Sequence, residues 1–338
     1  MKKGTKRLFA VAAGAAVGTA AVRTAHNTAR NMADMAMNRE LTEQQSLLMQ
    51  AAPGSPKEQE LEKQKDAAAE RLRDSACQAV EITAHDGIRL IGHLHLAESP
   101  KRTIIAVHGW RASWTGRFGL IADFLYENGC NVLYIEQRAH GASGGKYIGF
   151  GLLERYDVLD WIDWVNEQDF ACFPIYLFGF SMGAATVLMT AGESLPDNVH
   201  GVIADSGYTS PRDEWKYVAE NNMHCNYKLM EKYVDKLAME RIGCHADEYS
   251  STQAMQECRT PVLFIHGTAD TFVPIEMTYE NYKACAAPKR LMIIPGAGHC
   301  QGYQLEPERY EEELRRFWQE LESRAILNRL TAMARPTS

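Results

Sequence analysis

The stretch Ile175-Tyr176-Leu177-Phe178-Gly179-Phe180-Ser181-Met182-Gly183-Ala184-Ala185 decides how the rest of the chain is read. Its first four residues form a short apolar run without polar alternation, the pattern of a parallel strand covered on both faces. After Gly183, the residues Ala184, Ala185, Val187 and Leu188 read as the buried side of a helix. A serine between two glycines therefore sits on a sharp strand-to-helix turn. Such a turn projects the hydroxyl above the sheet, and the glycines let neighbouring backbone approach without a Cβ clash. A serine hydroxyl is a weak nucleophile at neutral pH, so this reading demands a base and a third group to orient the base.

Similar apolar runs occur at 103–107, 131–135, 199–204, 262–265 and 290–294, separated by helical patterns at 119–128, 152–168, 182–191 and 277–285. Residues 80–83 and 89–96 alternate about the turn signal Asp86-Gly87 and predict an antiparallel start. An acidic-started helix, 306–322, follows the last run. The pattern predicts an α/β fold, a mostly parallel sheet of about eight strands with helices on both faces.

The third group and the base are offered downstream, each just after a predicted strand. Asp270 lies in His266-Gly267-Thr268-Ala269-Asp270, and His299 in Gly296-Ala297-Gly298-His299. The order Ser181, Asp270, His299 is the one expected when acid and base ride on loops after successive strands. Asp205, after the run 199–204, is the rival acid. A tetrahedral intermediate also needs donors for its oxyanion. The backbone N–H of Trp110, in His108-Gly109-Trp110, and that of Met182 are the candidates; His108 and His266, in turns of their own, read as structural.

These motifs carry a resemblance. HGW at 108–110, EQRAHGAS at 136–143, GFSMG at 179–183, HGTADTFVP at 266–274 and GAGH at 296–299 make residues 79–323 similar to the α/β-hydrolase superfamily, within its bacterial esterase/lipase-like and serine aminopeptidase-like serine hydrolases. The resemblance implies a Ser181–His299–Asp270 triad with Trp110 and Met182 as oxyanion donors. One departure is Glu136, where relatives usually have Asp. The fifty-odd residues 206–259 between two strands exceed an ordinary crossover, and the resemblance implies a helical cap. Trp215, Met223 and Tyr227 in that insertion are the expected pocket residues.

The expected activity is cleavage of a carboxyl ester through an acyl-enzyme, on a small-molecule ester or short peptide. The alternatives are a peptidase or amidase, an acyltransferase, or a non-catalytic binding protein on the same fold. No cofactor and no metal is expected: His93 and His95, and the set His224, Cys225, Cys244, His245 and Cys258, match no common zinc spacing. With 36 basic and 43 acidic side chains the net charge is −7, which argues against a nucleic-acid partner. Eight scattered cysteines without a CxxC pair point to a reducing compartment, hence the cytoplasm.

Residues 1–30 are basic and Ala-rich, and the uncharged stretch 8–22 behind Lys2, Lys3, Lys6 and Arg7 has the layout of a signal or membrane anchor. An exported or anchored protein is thus the alternative location. Residues 31–78 read as a polar helical connector in which Ser55 caps a helix starting at Pro56. The catalytic domain is expected over 79–325, with a tail over 326–338.

Overall fold

The computed structural model describes residues 26–49 and 55–333. Its centre is an eight-stranded sheet of β1 (Gln78–Thr83), β2 (Arg89–His95), β3 (Arg102–Val107), β4 (Cys130–Glu136), β5 (Ile175–Phe180), β6 (Val199–Asp205), β7 (Val262–Gly267) and β8 (Lys289–Ile294). The spatial order is β1-β2-β4-β3-β5-β6-β7-β8, antiparallel up to β4 and parallel from β4 to β8. Every residue of β3, β4, β5 and β7 is buried, as continuous apolar runs require. From β3 the chain steps to β4 on one side and then to β5 on the other. That reversal opens a crevice at the C-terminal ends of β3 and β5, the place where open α/β sheets bind ligands.

Helices α1 (26–37), α2 (Glu43–Met49), α3 (Pro56–Arg73), α4 (Phe118–Glu127), α5 (Glu154–Asn166), α6 (Met182–Thr190), α7 (Pro211–Tyr217), α8 (Glu231–Ile242), α9 (Ser251–Glu257), α10 (Ile275–Ala284), α11 (Gly302–Leu305) and α12 (Pro307–Met333) surround the sheet. On one face Phe118, Ile121 and Leu125 of α4 and Tyr310, Leu314, Phe317 and Trp318 of α12 pack on Ile104, Tyr134 and Phe178. On the other, Val158, Trp161 and Ile162 of α5 and Val187 and Leu188 of α6 pack on Ile105, Leu133 and Leu177. A third core joins α1, α7 and α8 above the strand ends.

Three boundaries differ from expectation. The segment 31–78 is no mere connector. Ser55 and Glu58 form the reciprocal cap that starts α3, and its Leu61, Ala68, Ala69 and Leu72 are buried. A Cβ on Gly119 of α4 would lie 2.6 Å from the Ala68 backbone, so two small residues let α3 and α4 touch. The insertion 206–259 does not all rise above the sheet. α9 packs on α6 and α10, with Met255 and Cys258 in the body's core. Finally, α12 continues through the tail expected from 326, since no Pro or Gly interrupts it before Pro336. Among the described residues no helix is long and apolar enough to cross a membrane; the stretch 8–22 lies outside them.

Candidate active site

Ser181 occupies the turn between β5 and α6 with φ 55° and ψ −119°, a region that costs a non-glycine residue on the order of 1–3 kcal/mol. Close packing maintains it. A Cβ on Gly179 would lie 2.1 Å from the Gly183 carbonyl oxygen, and one on Gly183 would lie 2.0 Å from that of Val107 at the end of β3. Neither position tolerates a side chain, so both glycines are steric requirements of the turn. The Ser181 N–H donates to the Asp205 carbonyl at 2.8 Å, pinning the turn to β6.

The structure brings the three predicted groups together. His299 Nε2 lies 2.8 Å from Ser181 Oγ, and His299 Nδ1 lies 2.7 Å from Asp270 Oδ2. The other Asp270 oxygen accepts from the N–H groups of Phe272 and Val273 at 2.9 and 3.0 Å. His266, fully buried at the end of β7, sets Nε2 3.1 Å from Asp270 Oδ2 while Nδ1 meets Thr278 Oγ1 at 2.7 Å. Burial works against charging Asp270, but the bonds from His266 and His299 outweigh it and hold the carboxyl well below its ordinary range. For His299, burial opposes the imidazolium; the adjacent Cys300 sulfur and Asp270 win, and the ring is held well above its usual value. His266 was read from sequence as structural, and nothing in its turn signalled that it touches the acid.

The rival carboxylate is engaged elsewhere. Asp205 is buried, accepting from the Ser206 hydroxyl at 2.8 Å and the Tyr310 hydroxyl at 2.9 Å, with its carboxyl raised by burial.

Gly109 brings the turn after β3 against the serine: a Cβ there would lie 3.2 Å from Ser181 Cβ. Trp110 follows it, and Met182 opens α6, where a first-turn N–H has no partner within its helix. His108 is buried, its ring accepting from the Gln137 N–H at 3.1 Å, and burial lowers it to about 4. Glu136 accepts from His93 at 2.8 Å and from the Ala142 N–H, bracing the glycine-rich turn rather than the site.

Sequence reasoning missed how this turn holds α1. The Trp110 indole donates to the Ala36 carbonyl at 2.8 Å, and the Arg111 guanidinium donates to the carbonyls of Met35 at 2.8 Å and Arg39 at 3.3 Å. Those of Met35 and Ala36 are among the unpaired carbonyls expected at a helix C-terminus. α1 thereby walls a cavity of about 110 Å³ beside Ser181, lined also by Phe150, Met182, Tyr208, Glu214, Val234 and Phe272. Trp215 and Met223 line it too. Tyr227 does not: it is buried in the segment between α7 and α8 and borders a separate polar cleft with Arg212 and Glu231. Aromatic content marks a helix face as apolar without saying which neighbour it meets.

Several of the side chains weighed as metal ligands have other partners, Cys225 Sγ on the Met223 carbonyl at 3.4 Å and Cys258 Sγ on the Thr260 carbonyl at 3.2 Å among them. His93 stacks on Trp114 at 3.9 Å, His95 on Tyr126 at 3.5 Å, and His245 bonds Asp235 at 2.8 Å.

Comparison with known proteins adds the following. The family model described as serine aminopeptidase S33 matches residues 98–250. The uncharacterized protein YqkD of Bacillus subtilis is 28% identical over 71% of this chain and 78% of its own. The uncharacterized protein YfhR of Escherichia coli strain K12 is 28% identical over 68% and 75%. Among solved structures, an esterase of Pyrococcus furiosus aligns with a TM-score of 0.60 and 25% identity over 80% of this chain and 95% of that one. Est1E of Butyrivibrio proteoclasticus, at 21% identity over 72% and 99% with a TM-score of 0.57, shares the fold.

Proposed function

We propose that this chain, a hydrolase of the α/β-hydrolase superfamily, cleaves carboxyl esters of small molecules through Ser181, His299 and Asp270. The observation that carries the reading is the unbroken line of hydrogen bonds from Asp270 through His299 to Ser181 Oγ, ending on a strained turn beside an apolar cavity. The likeness to an esterase of Pyrococcus furiosus supports the ester as substrate.

In this mechanism Ser181 Oγ attacks the ester carbonyl carbon while its proton passes to His299 Nε2. Asp270 holds the ring with Nδ1–H toward itself and stabilises the imidazolium. Negative charge develops on the carbonyl oxygen, where the N–H groups of Trp110 and Met182 would receive it. His299 returns the proton to the departing alkoxide, leaving an acyl-enzyme and an alcohol. Water, deprotonated by the same ring, then releases the acid and restores Ser181.

The test is labelling with a fluorophosphonate followed by a p-nitrophenyl ester series of increasing acyl length. Wild type labels, Ser181→Ala does not, and kcat/KM rises with each methylene that fits, by up to about fourfold for about 0.8 kcal/mol, before falling when the cavity is full. Peptide anilides cleaved far better than every ester would replace this reading with a peptidase, the activity named in the matching family model.

A further inference from the structure

Gly109, Trp110, Arg111 and Ala112 form a tight turn after β3, closed by a bond from the Ala112 N–H to the Gly109 carbonyl at 3.2 Å. The same carbonyl accepts from His108 Nδ1 at 2.8 Å. It shares a planar peptide with the Trp110 N–H, so holding the carbonyl also sets the direction of the N–H opposite it. Arg111 is third in the turn with φ 49°, the left-handed region where glycine or asparagine is the ordinary choice. Its N–H donates to His140 Nε2 at 3.0 Å. Nδ1 of that ring donates to the Arg138 carbonyl at 2.9 Å, and burial lowers the imidazole to about 3, so Nε2 stays an acceptor. The backbone favours glycine at this place, yet the residue is a long cation.

The guanidinium accounts for that choice. Nε and Nη2 donate to the Met35 carbonyl at 3.1 and 2.8 Å, Nη2 also to that of Asn38, and Nη1 to that of Arg39 at 3.3 Å. They gather at the C-terminal end of α1, where a cation is favoured. Arg39 reciprocates: its guanidinium donates to the carbonyls of Ser143 and, at 2.6 Å, Gly141, and its N–H to the Lys146 carbonyl at 2.8 Å. Residues 35–39 thereby tie the turn that carries Trp110 to the turn that carries His140.

We propose that Arg111 is a positioning residue for the oxyanion site, its guanidinium holding the turn in the conformation that directs the Trp110 N–H at the reacting carbonyl oxygen; this rests on the serine esterase reading above. Without the guanidinium, Arg111 is free to relax to negative φ. That turns over the Trp110–Arg111 peptide, breaks the bonds to His140 Nε2 and the Gly109 carbonyl, and swings the Trp110 N–H off its line. A donor aimed at charge that develops only in the transition state acts on kcat more than on substrate binding. The cavity lining includes Trp110 but not Arg111, so the effect should be the same for every acyl chain.

The experiment uses the full-length protein. Arg111→Met keeps the bulk of the stem without its donors, Arg111→Lys returns the charge, and Arg39→Met weakens the brace from its other side. Each is measured for kcat and KM over the p-nitrophenyl ester series, for its thermal melt, and for inhibition by an alkyl trifluoromethyl ketone. The ketone adds to the serine as an anionic tetrahedral adduct whose oxygen occupies the donor site. Arg111→Met should lower kcat about 10- to 100-fold at every chain length, with KM within about threefold, and should weaken the ketone by a matching factor. Arg111→Lys should recover part of this, and Arg39→Met should lose less. An Arg111→Met protein that melts lower but keeps its kcat and ketone affinity rejects the proposal and leaves a structural role. A loss confined to KM or to long acyl chains rejects it equally, assigning Arg111 to the seating of a pocket wall. Should Arg111→Met not fold, Arg111→Lys and Arg39→Met decide: kcat and ketone affinity falling together support the brace, and wild-type values in both variants overturn it. A wild type that neither labels with the fluorophosphonate nor binds the ketone sinks the serine esterase reading along with the brace. One that does both, with variants that match it, sinks the brace alone.

Discussion

Below the cavity, the proposed chemistry stands on strand ends, and its groups are tied down twice over. Asp270 has partners on both oxygens, His299 on both nitrogens, and the Ser181 backbone is bonded to β6. Above it, the roof of α1, α7 and α8 contributes methionines, alanines and aromatics, with Glu214 and Trp215 carrying polar atoms that meet no partner among the described residues. The lower half fixes geometry, and the upper half offers shape. A change below should therefore act on every substrate alike, whereas a change above should reorder substrates.

The sharpest break between the halves comes from Ser181→Ala, which should lower ester turnover by at least about 10³-fold for every chain length. A folded alanine variant that turned over its best ester near the wild-type rate would end the comparison. Next in size is Asp270→Asn, expected to cost about 10²–10⁴ in kcat by disturbing the His299 tautomer and its imidazolium. Asp205→Asn should leave kcat within about tenfold while lowering stability by about 1–2 kcal/mol through the Ser206 and Tyr310 hydroxyls. The reverse ranking would move the acid to Asp205.

The same site has a pH signature. The neutral His299 ring accepts the serine proton, and its folded-state value is raised above 6.5. Activity is thus present above that raised value and lost as the pH falls through it, so the acid limb of kcat/KM should lie above pH 6.5. Removing the Asp270 charge should move the limb down. An acid limb below pH 6.5 in wild type would contradict the geometry.

Smaller effects belong to the roof. Trp215→Ala or Met223→Ala should change kcat/KM several-fold at the longest acyl chains and little at the shortest, because only long chains reach those walls. A uniform loss across the series would assign both residues to packing. Ser210 caps α7 through a bond from the Asp213 N–H at 3.1 Å. Ser210→Ala should therefore cost about 1 kcal/mol in a thermal melt.

The same division explains what the amino-acid sequence disclosed. The strands were readable because burial on both faces leaves no polar alternation, as in Thr103–Val107 and Ile175–Phe180. Ser181, Asp270 and His299 were readable because each follows such a run by a few residues, so topology alone gathers them. The roof was not, since its parts meet only in three dimensions. Nothing in Met32, Ala33 or Ala36 announces a pocket wall some 150 residues before the serine it covers. Tyr227 shows the converse: the aromatic content of residues 206–259 was evident, but which of them line the cavity beside the serine was not. Glu214 resembles any acid in a first helical turn until its surroundings are known.

The docking of α1 also has a consequence for the order in which the protein assembles. This helix leaves the ribosome before any strand, yet its partners, Trp110, Arg111 and Arg241, are made later, the last of them 207 residues beyond Asp34. Its seat forms only when those segments are in place, and contacts of such long sequence separation are slow to form. During refolding the sheet should consolidate first, with ester turnover lagging behind the burial of its tryptophans. A chain beginning at residue 40 should then fold around the same strands and present Ser181 in a more open trough, with a weaker dependence on acyl-chain length set by Trp215 and Met223 alone.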